Sequence, residues 1–257
     1  MITDINAILT KLNMHYTAAN LDLIIKSATK HRYGALEIIE HIAENELQER
    51  KKRSCESRLR SSKIGGFKPI ADFDWNWPKE IPKNAIEQLF DLSFIDEPSN
   101  AIFISASGLG KTMIAKNLAY QAAVSGHTVL FTEAGQMLTD LGSQESAIAL
   151  KRRIQRYIKP KLLVIDEMGF ISYSAAAADH LFEVINRRYE VSATIVTTNK
   201  AFKDWGETFP GVGCLTAMID RLTHHAEIIS ILGDSWRRHE ARLRVQKKRT
   251  KKANKKI

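Results

Sequence analysis

One stretch constrains the fold more than any other: "NAIFISASGLGKTMIAKNLAYQAAVSG", residues 100–126. A short apolar run, which reads as a buried strand, ends in a glycine loop that opens directly into a helix closed by Gly126. The loop approaches the phosphate-binding spacing G-x-x-x-x-G-K-[ST], with Ser105 standing where the first glycine belongs. Such a loop needs a tight turn after a strand, so that backbone N–H groups and a helix N-terminus can face phosphates. Gly108 and Gly110 keep side chains out of that approach, Lys111 supplies a cation for the β and γ phosphates, and Thr112 offers a hydroxyl to Mg²⁺. The candidate nucleotide contacts are therefore Ser107, Gly108, Leu109, Gly110, Lys111 and Thr112. Ser105 costs little at negative φ, but roughly 1–2 kcal/mol if the turn demands a left-handed residue.

From about residue 69 onward, strands and helices alternate. "TVLFTEA", "KLLVIDEM", "ATIVTTN" and "EIISIL" read as further strands, while "SAIALKRRIQRYI" and "AAADHLFEVINRRYE" read as helices. Alternation at these lengths predicts an α/β fold with a parallel sheet covered by helices on both faces. Residues 1–63 carry no strand-like alternation and predict two or three helices, the last turning basic after Arg50. "KIGGFKPI" breaks that helix with paired glycines and a proline. The expected organisation is a small helical N-terminal DNA-binding domain over 1–63, a nucleotide-binding domain over 64–238 with 64–76 as linker and lead-in segment, and a basic disordered tail over 239–257.

The strand ends carry the chemistry. "LLVIDE" delivers Asp166 to the carboxyl edge of the sheet, where the phosphate loop also opens, so Asp166 can hold Mg²⁺. Glu167 beside it can polarise a water for attack on a γ-phosphate. Asn199, ending "TIVTTN", would lie next to the Asp166 strand and orient that water. Arg221 and Arg237 follow in "AMIDRLTHHAEIISILGDSWRR". Arginine suits the charge of a transferring phosphate, one residue in trans and the other in cis, yet by residues alone a salt bridge and a surface position are the simpler reading. His224 and His225 invite a metal, but no further ligand stands at suitable spacing, which leaves a helix-end or packing role.

The net charge of +9 is unevenly distributed: +4 over residues 1–68, −5 over 69–236 and +10 over 237–257. A tail such as "RVQKKRTKKANKKI" lacks apolar residues to fold with, so it either aids solubility or meets a polyanion, nucleic acid before an anionic membrane. Candidate contacts to DNA phosphates are Arg50, Lys51, Lys52, Arg53, Arg58, Arg60 and Lys63 in the N-terminal arm, and Arg152, Arg153 and Arg156 on one helix, each of which also fits a solvated face. No helix-turn-helix signature stands out in residues 1–63, so sequence-specific reading is not expected. The apolar runs fall far short of the ~20 residues that span a bilayer, and no signal peptide is evident. With two cysteines in no metal-like pattern, the sequence reads as cytoplasmic with free thiols.

In order, "SGLGKT", "LLVIDEMGF", "LFEVINRRYE", "TIVTTNKAFKDWGETF", "TAMIDRLTHHAEII" and "GDSWR" resemble the IstB-type transposition helper ATPases, AAA+ proteins grouped with the DnaC-like helicase loaders. The resemblance covers most of residues 50–238. It implies an AAA+ P-loop ATPase using ATP and Mg²⁺, a homo-oligomer with nucleotide sites between subunits, formed on double-stranded DNA and working with a cognate transposase. It makes Lys111 and Thr112 the Walker A residues, Asp166 and Glu167 Walker B, Asn199 sensor 1, Arg221 the arginine finger and Arg237 sensor 2. The departure is Ser105-Ala106, where the family usually shows Gly-Pro, and it bears on affinity and turnover. Two other readings stand beside it: a replicative helicase loader, and a catalytically weakened ATP-binding scaffold on DNA.

Overall fold

A computed structural model describes residues 4–170, 172–210 and 213–241. The expected tail over 239–257 lies outside the described residues from 242 onward. The chain divides into two compact units, Met1–Ser57 and Arg58–Ile257. This division falls within a helix and not at the paired glycines.

The first unit is helical. It comprises α1 (Ile5–Lys11), α2 (His15–His31) and the greater part of α3 (Ala35–Ser62). Asp4 caps α1 by accepting from Ala7 N–H. The unit is tied internally by a buried carboxylate: Glu46 accepts from the Thr17 backbone N–H at 3.0 Å and from the Thr17 hydroxyl at 3.1 Å. Thr17 lies in the first turn of α2, so Glu46 satisfies a donor that the helix leaves unpaired.

In the second unit, α4 (Lys83–Leu89) and α5 (Ser93–Asp96) lead into β1 (Asn100–Ser105), followed by α6 (Lys111–Val124) and β2 (Val129–Glu133). Next come α7 (Ala134–Gly142), α8 (Ala147–Ile158), β3 (Leu162–Met168), α9 (Ala175–Arg188) and β4 (Ala193–Thr198). The last elements are α10 (Trp205–Thr208), α11 (Leu215–Thr223) and β5 (Ala226–Ile231). All five strands pair in parallel in the order β2-β3-β4-β1-β5. The period of two along each strand sends alternate residues into different cores. Phe103, Phe131, Val164, Ile195 and Ile229 pack with Ile114, Leu118 and Ala122 of α6. Ile102, Leu130, Leu163 and Val196 pack with α7, α8, α9 and α11. The expected two-faced α/β sheet is thus the observed one, and among the described residues no helix is long and apolar enough to cross a membrane.

Arg188, at the end of α9, is 1% exposed, yet no carboxylate pairs with it among the described contacts. Its guanidinium donates to the carbonyls of Tyr157 (3.1 Å), Ile158 (2.9 Å), Pro160 (2.8 Å) and Ala193, and to the Thr194 hydroxyl (3.1 Å). One side chain thereby satisfies the carbonyls at the end of α8 and fastens that helix to the start of β4.

Candidate functional site

With β4 between β1 and β3, the loops following these three strands open at one edge of the sheet. At that edge, the Thr112 hydroxyl donates to Asp166 Oδ1 at 3.1 Å. The Thr197 hydroxyl donates to the same oxygen and accepts from the Glu167 backbone N–H at 3.0 Å. Thr197 therefore sets both acids. The sequence reading passed over it, although the paired threonines of "TTN" were the available signal.

The phosphate loop is built as its glycines require. Gly108 and Gly110 lie at φ +86° and +91°, and a Cβ there would stand 2.3 Å from Ser235 Oγ and 2.3 Å from Phe73 Cε2 respectively. Ser105 is not among the residues at positive φ, so serine bears no left-handed strain at the first motif position. Its hydroxyl is put to use: the buried Lys111 ammonium donates to Ser105 O (2.6 Å), Ser105 Oγ (2.9 Å) and Ala106 O (3.0 Å). Helix α6 begins at Lys111 behind Gly110 with no side-chain cap, leaving its first N–H groups available to an anion.

A cavity of about 210 Å³ opens over this loop. Its floor is Ser107 to Met113, Glu167 and Thr197, and its walls are Phe73, Trp77, Trp236 and Arg237. The aromatic walls escaped the sequence reading, although the Trp-bearing segments "ADFDWNW" and "GDSWR" contain them. The walls are tethered: Trp236 N–H donates to Gly108 O (2.9 Å), and Trp77 Nε1 to Asp234 O (2.8 Å). Burial pulls the Lys111 ammonium down to about 8, and Arg237 adds to the effect, against the pull of Asp166 and Glu167. Burial pushes the Glu167 carboxyl up, aided by Asp166 and Glu133. Glu167 sits at φ +60°, where the β3–β4 register shifts between Ile165 and Met168, an irregularity that re-aims the strand end.

Two expected residues do not line this cavity. Asn199 is not part of its lining, and its Oδ1 is buried without a hydrogen-bond partner. Arg221, on α11, donates to Ala217 O at 3.0 Å and lies over the Phe182 ring, 5.2 Å from its centroid. It precedes β5, so it belongs to the sheet edge opposite the phosphate loop, about 20 Å away along a six-residue strand.

The candidate DNA contacts fall into two groups. Arg50 and Arg53 pair with Glu46, Arg153 and Arg156 with Asp140, and Arg58 donates to Ala123 O. Lys51, Lys52, Arg60, Lys63 and Arg152 are exposed.

Residues 7–244 match the model of the IstB-like ATP binding protein family. The chain belongs to this family. It is similar to the ATP-binding protein of insertion sequence IS5376 from Geobacillus stearothermophilus, with 32% identity over 93% of this chain and 95% of that one. The corresponding IS21 protein of Pseudomonas aeruginosa is 30% identical over 93% of this chain and 90% of that one. In fold, the chain is similar to DnaI, with a TM-score of 0.53 and 18% identity, covering 65% of this chain and 89% of that one. Its IstB-like nucleotide domain thus has the AAA+ P-loop fold, preceded by N-terminal helices.

Proposed function

We propose that this IstB-like protein is an ATPase that assembles on duplex DNA, without sequence preference, and assists the transposase of its insertion sequence. The observation that carries this reading is the meeting of Lys111, Thr112, Glu167 and Arg237 around one cavity above an uncapped helix N-terminus, with Asp166 bonded to Thr112 behind it. In this reading Lys111 and the loop N–H groups hold the phosphates, Arg237 neutralises charge from the opposite wall, and Glu167 takes the proton of the attacking water. Mg²⁺, held by Thr112 and Asp166, would neutralise phosphate charge. A carboxyl whose proton affinity is raised by burial is the better base for that step. Asn199 orients the water. Arg221 serves the site of a neighbouring copy, because its own cavity lies at the far sheet edge; this supports nucleotide sites between subunits. For DNA we assign the exposed Lys51, Lys52, Arg60, Lys63 and Arg152 to phosphate contacts, with strongly salt-dependent affinity.

The test is ATP hydrolysis with and without duplex DNA. DNA should stimulate the native chain, and Lys111→Ala or Glu167→Gln should lower turnover by on the order of 100-fold or more. A native chain without turnover at any DNA concentration overturns the catalytic reading.

The depressed ammonium makes a second prediction. Phosphates bind the protonated lysine, so nucleotide affinity should hold level below pH 8 and fall about tenfold per unit above it, until the bound-state pKa is passed. Lys111→Arg, charged throughout this range, should abolish the fall. A fluorescent ATP analogue titrated from pH 7 to 10 reads both.

A further inference from the structure

His224 and His225 follow the last turn of α11 with ring centroids 4.0 Å apart, and their side chains are 51% and 52% exposed. The fold brings them the third ligand that spacing alone withheld. Glu190 lies just beyond α9 at φ +57° and faces both rings. Its Oε1 is 3.3 Å from His225 Nε2 and 3.9 Å from His224 Nδ1, and the three ligand atoms lie within 4.8 Å of one another. Metal bonds of about 2.0–2.2 Å in tetrahedral array place neighbouring ligand atoms roughly 3.3 Å apart. The His225–Glu190 pair already has that separation. The His224 nitrogen must close by about half an ångström on Glu190 and by up to about 1.5 Å on His225, which exposed side chains can do by torsion.

We propose that Glu190, His224 and His225 form a surface site for a borderline divalent transition metal of the Zn²⁺ type, with a water completing the coordination. Two imidazoles and one carboxylate suit such an ion and not Mg²⁺, which prefers oxygen ligands. The site is separate from the phosphate loop in both ligand chemistry and position, since it joins the end of α9 to the start of β5 at the opposite sheet edge. One neighbour competes with the metal: the Tyr189 hydroxyl lies 2.7 Å from His224 Nδ1 and must give up that nitrogen. A bound ion would fix the end of α11, the helix that carries Arg221.

The test is calorimetric titration of the full chain with ZnCl₂, in a Cys55→Ser/Cys214→Ser background so that thiols do not contribute. One equivalent should bind. His225→Ala and Glu190→Gln should each weaken binding by at least about tenfold, and Tyr189→Phe should strengthen it. Circular dichroism and binding of a fluorescent ATP analogue should be unchanged in all three variants, which separates this site from the nucleotide site. Absence of stoichiometric binding, or binding indifferent to both His225→Ala and Glu190→Gln, overturns the proposal.

Discussion

Gly110→Ala is expected to lose nucleotide affinity by on the order of 100-fold while leaving the sheet folded. Two costs add. Alanine at φ +91° is strained by roughly 1–2 kcal/mol, and its Cβ would stand 2.3 Å from Phe73 Cε2, an overpacking cost of about 1–3 kcal/mol. The loop can escape only by moving, and movement withdraws its N–H groups and Lys111 from the phosphates. Phe73→Leu in the same chain relieves the contact but not the backbone, so the double variant should recover part of the affinity. Equilibrium titration with a fluorescent ATP analogue, alongside circular dichroism, measures both. Native affinity in Gly110→Ala would contradict the phosphate-cradle reading of this loop.

The second large effect concerns stability. Arg188→Ala should destabilise the nucleotide-binding unit by about 3–5 kcal/mol, because it leaves several buried carbonyls without donors and opens a cavity. The carbonyls of Tyr157, Ile158 and Pro160 belong to the last turn of α8 and the approach to β3, the strand that presents Asp166 and Glu167. Arg188→Lys keeps the charge but not the planar fork, and should recover less than half of the loss. Urea denaturation of the three proteins checks the order native, lysine, alanine. An alanine variant within about 1 kcal/mol of native would refute this role, since ordinary surface changes fall in that range.

These two residues also mark how far the sequence could be read. Gly110 was legible because a phosphate loop writes its geometry into adjacent residues. The strands were legible for a similar reason: each is a short apolar run ending in polar or glycine residues. Arg188 was not, because its partners are backbone carbonyls, which leave no mark in a sequence. Helix α7 was passed over although Ala134, Met137, Leu138 and Leu141 have helical spacing, since it follows β2 without a turn residue. The histidine pair does stand at the end of α11, as a helix-end role has it, but its acidic neighbour Glu190 arrives through tertiary structure and so left no mark in the spacing. The basic residues carried no sign of their partners in the sequence, yet Glu46 engages Arg50 and Arg53 of the N-terminal arm and Asp140 engages Arg153 and Arg156 of α8.

The tethers across the cavity have a consequence for the order in which this molecule can become competent. Trp77 bonds Asp234 across 157 residues, and Trp236 reaches back to Gly108. The walls thus come from the opposite margins of the nucleotide-binding unit, and contacts so distant along the chain form late because their loop-closure entropy is large. A ribosome-bound chain that has emerged only as far as β4 has its phosphate loop but half a vessel around it. Occupancy would therefore report the completed domain, and ligand added during refolding should slow amide exchange at both margins together.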